Sequence, residues 1–131
     1  MMIILYYGTH DKSSKRAKMW FEETGIEVQM KKIKEISKED LSQILFLSEK
    51  GFSDILKNNI RSNTHDKELL RKCKDLSFNE ALGFLLEHLE LLRVPLVFDD
   101  YRLMVGFNDD DIRQFIPHSY RRIKLKSVLL E

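Results

Sequence analysis

Leu91-Leu92-Arg93-Val94-Pro95-Leu96-Val97-Phe98-Asp99-Asp100-Tyr101-Arg102-Leu103-Met104-Val105-Gly106-Phe107-Asn108 holds two short apolar runs on either side of an acidic turn. Pro95 to Phe98 reads as one strand and Arg102 to Val105 as a second, with Asp99-Asp100 between them, so the pair predicts a β-hairpin. Asn108 predicts the cap of a helix that carries Ile112, Phe115 and Ile116 and stops before Pro117. This stretch of the chain therefore reads strand, strand, helix.

The start of the chain supplies the rest of a sheet. Met2 to Tyr7 is a short apolar run with Ile3, Ile4, Tyr6 and Tyr7, whose length and β-branched content favour a buried strand. Gly8, Thr9, His10 and Asp11 break it. From Ser13 to Thr24, Ala17, Trp20 and Phe21 fall on one helical face, with Asp11 or Ser13 as cap and Gly25 as stop. Ile26 to Ile33 alternates Ile26, Val28 and Met30 against Glu27, Gln29 and Lys31, the period of a half-buried strand. Strand, helix, strand is a βαβ unit with a parallel strand pair.

The middle changes character. Ser37 caps a helix that carries Leu41, Ile44, Leu45 and Leu47. Gly51 ends that helix or joins it tightly to the next, which includes Ile55 and Leu56. Asn58 to Asp66 is polar and reads as an irregular connection, and Lys67 to Lys74 as a short helix. Ser77-Phe78-Asn79-Glu80 has capping-box spacing, and Ala81, Phe84, Leu85, His88 and Leu91 come next at helical intervals. The layout is βαβ, a helical insert, then ββα. At 131 residues it fits one α/β domain over 1–131, with a sheet lobe from 1–35 and 93–131 and a helical insert at about 36–92.

A net charge of +1 gives no global field toward nucleic acid or membrane. The tail from Tyr120 carries Arg121, Arg122, Lys124 and Lys126, a pattern usual for a solvated face. Cys73 is the only cysteine, so no disulfide can close within the chain, which fits a reducing interior. No apolar run approaches the ~20 residues that span a bilayer, and MMIILYYGTHDKSSKR lacks the leading positive charge of a signal peptide. The expected location is the cytoplasm. His10, His65, His88 and His118 lie far apart without ligand spacing, so neither a metal nor a cofactor is expected.

Three stretches resemble the Spx/arsenate reductase family. They are Ile4-Leu5-Tyr6-Tyr7 through Lys15-Arg16-Ala17-Lys18-Met19-Trp20, Gln43-Ile44-Leu45 through Glu49-Lys50-Gly51, and Leu91 to Asn108 followed by Asp111-Ile112-Arg113-Gln114-Phe115. The resemblance implies a thioredoxin-like fold: a mixed four-stranded sheet with an inserted helical lobe. It is closer to the Spx branch, stress-response regulators that bind RNA polymerase, than to the enzymes.

The family places a thiol in the loop between the first strand and the first helix, where the helix N-terminus favours the thiolate. Spx has C-x-x-C there, and the matching positions read Asp11-Lys12-Ser13-Ser14. The enzymes bind an oxyanion with an arginine just before the family proline, and Val94 stands at that position. In a strand, the preceding Arg93 would point to the opposite face. Asp11, Ser14 and Val94 thus read as degenerate catalytic positions, and no redox-active disulfide is expected. The implied function is an Spx-like transcriptional regulator, not an enzyme.

The implied partner is the C-terminal domain of the RNA polymerase α subunit, met at Gly51 with Glu49 and Lys50 beside it; promoter DNA would be approached only indirectly. Spx carries an arginine five residues before that glycine, where this chain has Phe46. The family holds the peptide bond before Pro95 cis. Lys15 and Arg16 beside the helix amides suit an anion. Cys73, among Arg71, Lys72 and Lys74, is the one thiol that could answer an oxidant. The alternatives are a glutaredoxin-dependent arsenate reductase relative and an inactive paralogue that binds another protein.

Overall fold

Four strands form one mixed sheet in the order β2-β1-β3-β4. The computed structural model describes residues 2–57, 68, 71–72 and 75–117. The strands are β1 (Ile3–Tyr7), β2 (Val28–Lys32), β3 (Leu96–Phe98) and β4 (Leu103–Val105). Among the described residues, the α-helices with defined bounds are α1 (Lys12–Thr24), α2 (Lys38–Leu47), α3 (Phe52–Ile55) and α4 (Phe78–Glu87), with 3₁₀ turns at Ile33–Glu35, Leu89–Leu91 and Asp111–Phe115. β1 runs parallel to β2 and antiparallel to β3, and β3 runs antiparallel to β4. This is the α/β, thioredoxin-like sheet that the sequence implies.

Strand alternation divides the core into two layers. Leu5 pairs with Val97 and Val97 with Met104, and this row faces Ala17 and Phe21 of α1 together with Ile112 and Phe115. Tyr6, Leu96 and Phe98 face the other way, onto Leu41, Ile44, Ile55, Leu82 and Leu85 of the insert. All three residues of β3 are buried, as expected of a strand covered on both faces. The insert is also stitched to the chain entering β3. Leu56 bridges Leu92, the Lys57 amide donates to the Leu91 carbonyl at 2.9 Å, and the Arg93 amide donates to the Ile55 carbonyl at 2.8 Å.

Several boundaries differ from those expected of the sequence. β2 begins at Val28, not Ile26, because the chain first leaves the left-handed Gly25 (φ 71°) that closes α1. Pro95 lies outside β3, consistent with its lack of an amide donor; the Val94–Pro95 bond is cis. The hairpin turn spans Asp99 to Arg102, since the buried Asp99 carboxylate accepts from the amides of Tyr101 (2.9 Å) and Arg102 (2.8 Å). Asn108 does accept from the amides of Asp110 and Asp111, but the segment it opens is a five-residue 3₁₀ turn and not an α-helix. Gly51 does not stop α2. Ser48 closes it, with its amide on the Ile44 and Leu45 carbonyls, and Gly51 starts α3. Of the expected helix Lys67–Lys74, only Glu68, Arg71 and Lys72 are among the described residues, and they are helical. Cys73, His65, His118 and the basic tail lie outside them.

Candidate functional site

The loop from Gly8 to Asp11 carries the chain from β1 into α1. Its residues need unusual backbone: His10 sits at φ 60°, a left-handed conformation that few non-glycine residues adopt. Asp11 is the N-cap. Its Oδ2 accepts from the Ser14 amide at 2.7 Å and from the Ser14 hydroxyl at 2.8 Å. Ser14 Oγ in turn accepts from the Gly8 amide at 3.1 Å. Ser14 is only 1% exposed. Its hydroxyl proton is committed to a carboxylate and its oxygen is turned toward the backbone. The group therefore works as a structural clasp, and among the described residues no histidine or lysine base is bonded to it.

Val94 closes the loop from the other side. A Cβ built on Gly8 would lie 2.9 Å from Val94 Cγ2, so glycine is required where the valine packs. Beside the loop is an open depression of about 480 Å³, lined by Asp11, Ser13, Val94, Lys57, Arg93 and Gly106 among others. Lys15 and Arg16 are exposed and are not part of this lining; Lys57 and Arg93 supply its positive charge. Arg93 does not point away from Val94, because both precede β3 and strand alternation does not govern them. The Arg93 guanidinium lies over Gly106, with Nη2 at 3.2 Å from where a Cβ would stand.

A second surface is built at the junction of α2 and α3. Glu49 and Lys50 are exposed, and the Lys50 amide donates to Asp54 Oδ2 at 2.8 Å. The Asp54 amide donates to the Gly51 carbonyl at 3.1 Å. Gly51 has φ 68° and ψ −132°, a conformation that L side chains rarely adopt, and a Cβ there would meet nothing within 4 Å. The glycine is thus demanded by its backbone, while the space above it is open. Phe46, near the end of α2, is 83% exposed.

One polar tie is not legible in the sequence. The Tyr6 hydroxyl, on β1, donates to Asp40 Oδ2 on α2, and Lys31 Nζ lies 4.0 Å from the same oxygen. Burial, then the bond to the Asp40 carboxylate and its charge, hold the Tyr6 hydroxyl well above the ordinary tyrosine range. Among the described residues no group of three or more histidine, cysteine, aspartate or glutamate side chains could hold a metal ion, and no helix is long and apolar enough to cross a membrane.

The ArsC family model matches residues 9–115, from the β1–α1 loop through the final 3₁₀ turn. The chain belongs to the ArsC family. It is 37% identical over 122 residues to the "Global transcriptional regulator Spx 2" of Bacillus anthracis, covering 92% of this chain and 91% of that protein. It is 35% identical over 126 residues to the "Global transcriptional regulator Spx" of Lactiplantibacillus plantarum, covering 95% and 93%. Among solved structures it resembles the arsenate reductase from Vibrio cholerae at a TM-score of 0.62 and 22% identity, covering 87% of this chain and 94% of that one. A Staphylococcus aureus protein solved by NMR superposes at a TM-score of 0.69 and 22% identity, covering 86% and 97%. At that identity the two structures speak for the fold alone.

Proposed function

We propose that this chain is an Spx-like transcriptional regulator of the cytoplasm that docks on the C-terminal domain of the RNA polymerase α subunit and does so without a redox disulfide. Relatives named as global transcriptional regulators align with it over more than nine-tenths of both chains, which supports the regulator reading. The observation that carries the absence of thiol chemistry is the Asp11–Ser14–Gly8 clasp. The family resemblance matches Asp11 and Ser14 to a C-x-x-C pair, and here an oxygen–oxygen hydrogen bond joins the two side chains. That bond closes the loop under reducing and oxidising conditions alike, since neither oxygen can form a disulfide. Val94 packs on Gly8, and the family resemblance matches it to the position where the enzymes carry an anion-binding arginine.

The docking surface in this proposal is Gly51 with Glu49 and Lys50 beside it, where the absent side chain leaves room for a partner backbone. Binding of the full chain to purified RNA polymerase α subunit tests the reading, and wild-type chain that fails to bind would reject it.

A further inference from the structure

We infer that an aromatic groove beside Gly51 anchors the proposed polymerase contact, and that it receives an aliphatic side chain flanked by a lysine or arginine on the α subunit. The inference rests on the reading that this lobe docks on that subunit, and it adds which side chains carry the contact. Phe46 of α2 is 83% exposed and Phe78, the first residue of α4, is 53% exposed. Both line one open groove of about 460 Å³ together with Leu45 and Glu39. The Phe78 ring lies 5.6 Å from that of Phe52, which directly follows Gly51. Phe46 and Phe78 thus bring rings from two helices to one groove, and Phe78 links it to Phe52, which is half-buried against the core next to Gly51.

Single apolar residues on a surface need no explanation, but contiguous exposed aromatics mark interaction sites. Phenylalanine, like the other aromatics, buries a large area and is enriched at interfaces. Phe46 gains little from its own fold at such exposure, so its burial value is still to be realised. The groove is open, which suits a side chain projecting from a macromolecule better than an enclosed small molecule. Among the described residues Glu39 is the one ionisable group in its lining, so the complementary partner brings a cation next to its apolar side chain. A second copy meeting groove to groove would bring two Glu39 carboxylates into one interface with no cation among the described residues of either lining to pair them, which argues against self-association here.

The test measures binding of full-length Phe46→Ala and Glu39→Lys variants to purified α subunit, with thermal unfolding and sedimentation of each. Phe46→Ala should weaken binding about tenfold or more, as truncation of an interface anchor does, with the melting temperature unchanged because the ring is exposed. Glu39→Lys should weaken binding and reduce its salt dependence. If wild type binds and Phe46→Ala binds equally well, this inference falls while the docking proposal stands. If Glu39→Lys binds more tightly, the flanking cation is wrong and the inference falls with it. If wild type does not bind at all, both fail. A wild-type dimer that Phe46→Ala dissolves would give the groove to a second copy and overturn the inference.

Discussion

Ser14 Oγ lies between the Asp11 carboxylate at 2.8 Å and the Gly8 amide at 3.1 Å. Removing the acceptor should therefore be felt as lost stability. Asp11→Ala deletes the cap of α1 and should lower stability by about 1–2 kcal/mol in urea unfolding. With no thiol in this loop and a committed hydroxyl, the chain should reduce no arsenate with glutathione and glutaredoxin; turnover above that of heat-killed protein would contradict the reading of this loop. Gly51 is the second residue with a direct test. Its φ of 68° and ψ of −132° belong to glycine, so Gly51→Ala should cost about 1–3 kcal/mol although nothing crowds the site. Loss of binding on Gly51→Arg is accordingly informative only beside a measured stability, and for that reason the exposed Phe46 is the cleaner probe. The sequence narrows the cap of α1 to Asp11 or Ser13, and the structure gives it to Asp11. The reach of Ser14 back to Gly8 is not, because it depends on how the loop closes in space.

α2 is tied to β1 through Tyr6 and Asp40, a link across 34 positions of sequence that periodicity cannot reveal. Tyr6→Phe removes a donor to a charged group and should cost about 1.5–3 kcal/mol near neutral pH, read by chemical unfolding. The pH dependence has a definite sign. The folded chain holds the Tyr6 proton more tightly than the unfolded chain, so the unfolded state loses it first as pH rises. The contribution is complete below the ordinary tyrosine value of ~10 and declines above it, an alkaline slope that Tyr6→Phe should flatten. Strands and helix starts are otherwise well marked in the sequence, since β1 and β3 are short apolar runs of strand length and since Asp11, Ser37 and Ser77 all cap as their residue types suggest. The last segment departs from its expected α-helix. Between Asn108 and Pro117 the chain takes 3₁₀ geometry, tied to the hairpin by Arg102 Nη1 on the Gln114 carbonyl at 2.6 Å and Gln114 Nε2 on the Leu103 carbonyl at 3.2 Å, contacts that helical periodicity does not show.

The whole molecule sets two surfaces on one sheet framework: a clasped loop at the end of β1, and an aromatic face on the insert. The order of strands and helices is enough to give the first its place. The second is only half legible: the resemblance sets Phe46 where Spx has an arginine, but nothing in the sequence links it to Phe78, which belongs to a distant helix. The fold brings both rings to one groove, and Phe46 faces solvent. In the proposed function, these surfaces belong to a regulator whose docking does not depend on the redox state of its loop. The most direct test is the affinity of the full chain for purified RNA polymerase α subunit, measured under reductant and again after diamide. The proposal predicts binding of the same affinity in both conditions. Absence of binding, or an affinity that changes with diamide and returns with reductant, would contradict it.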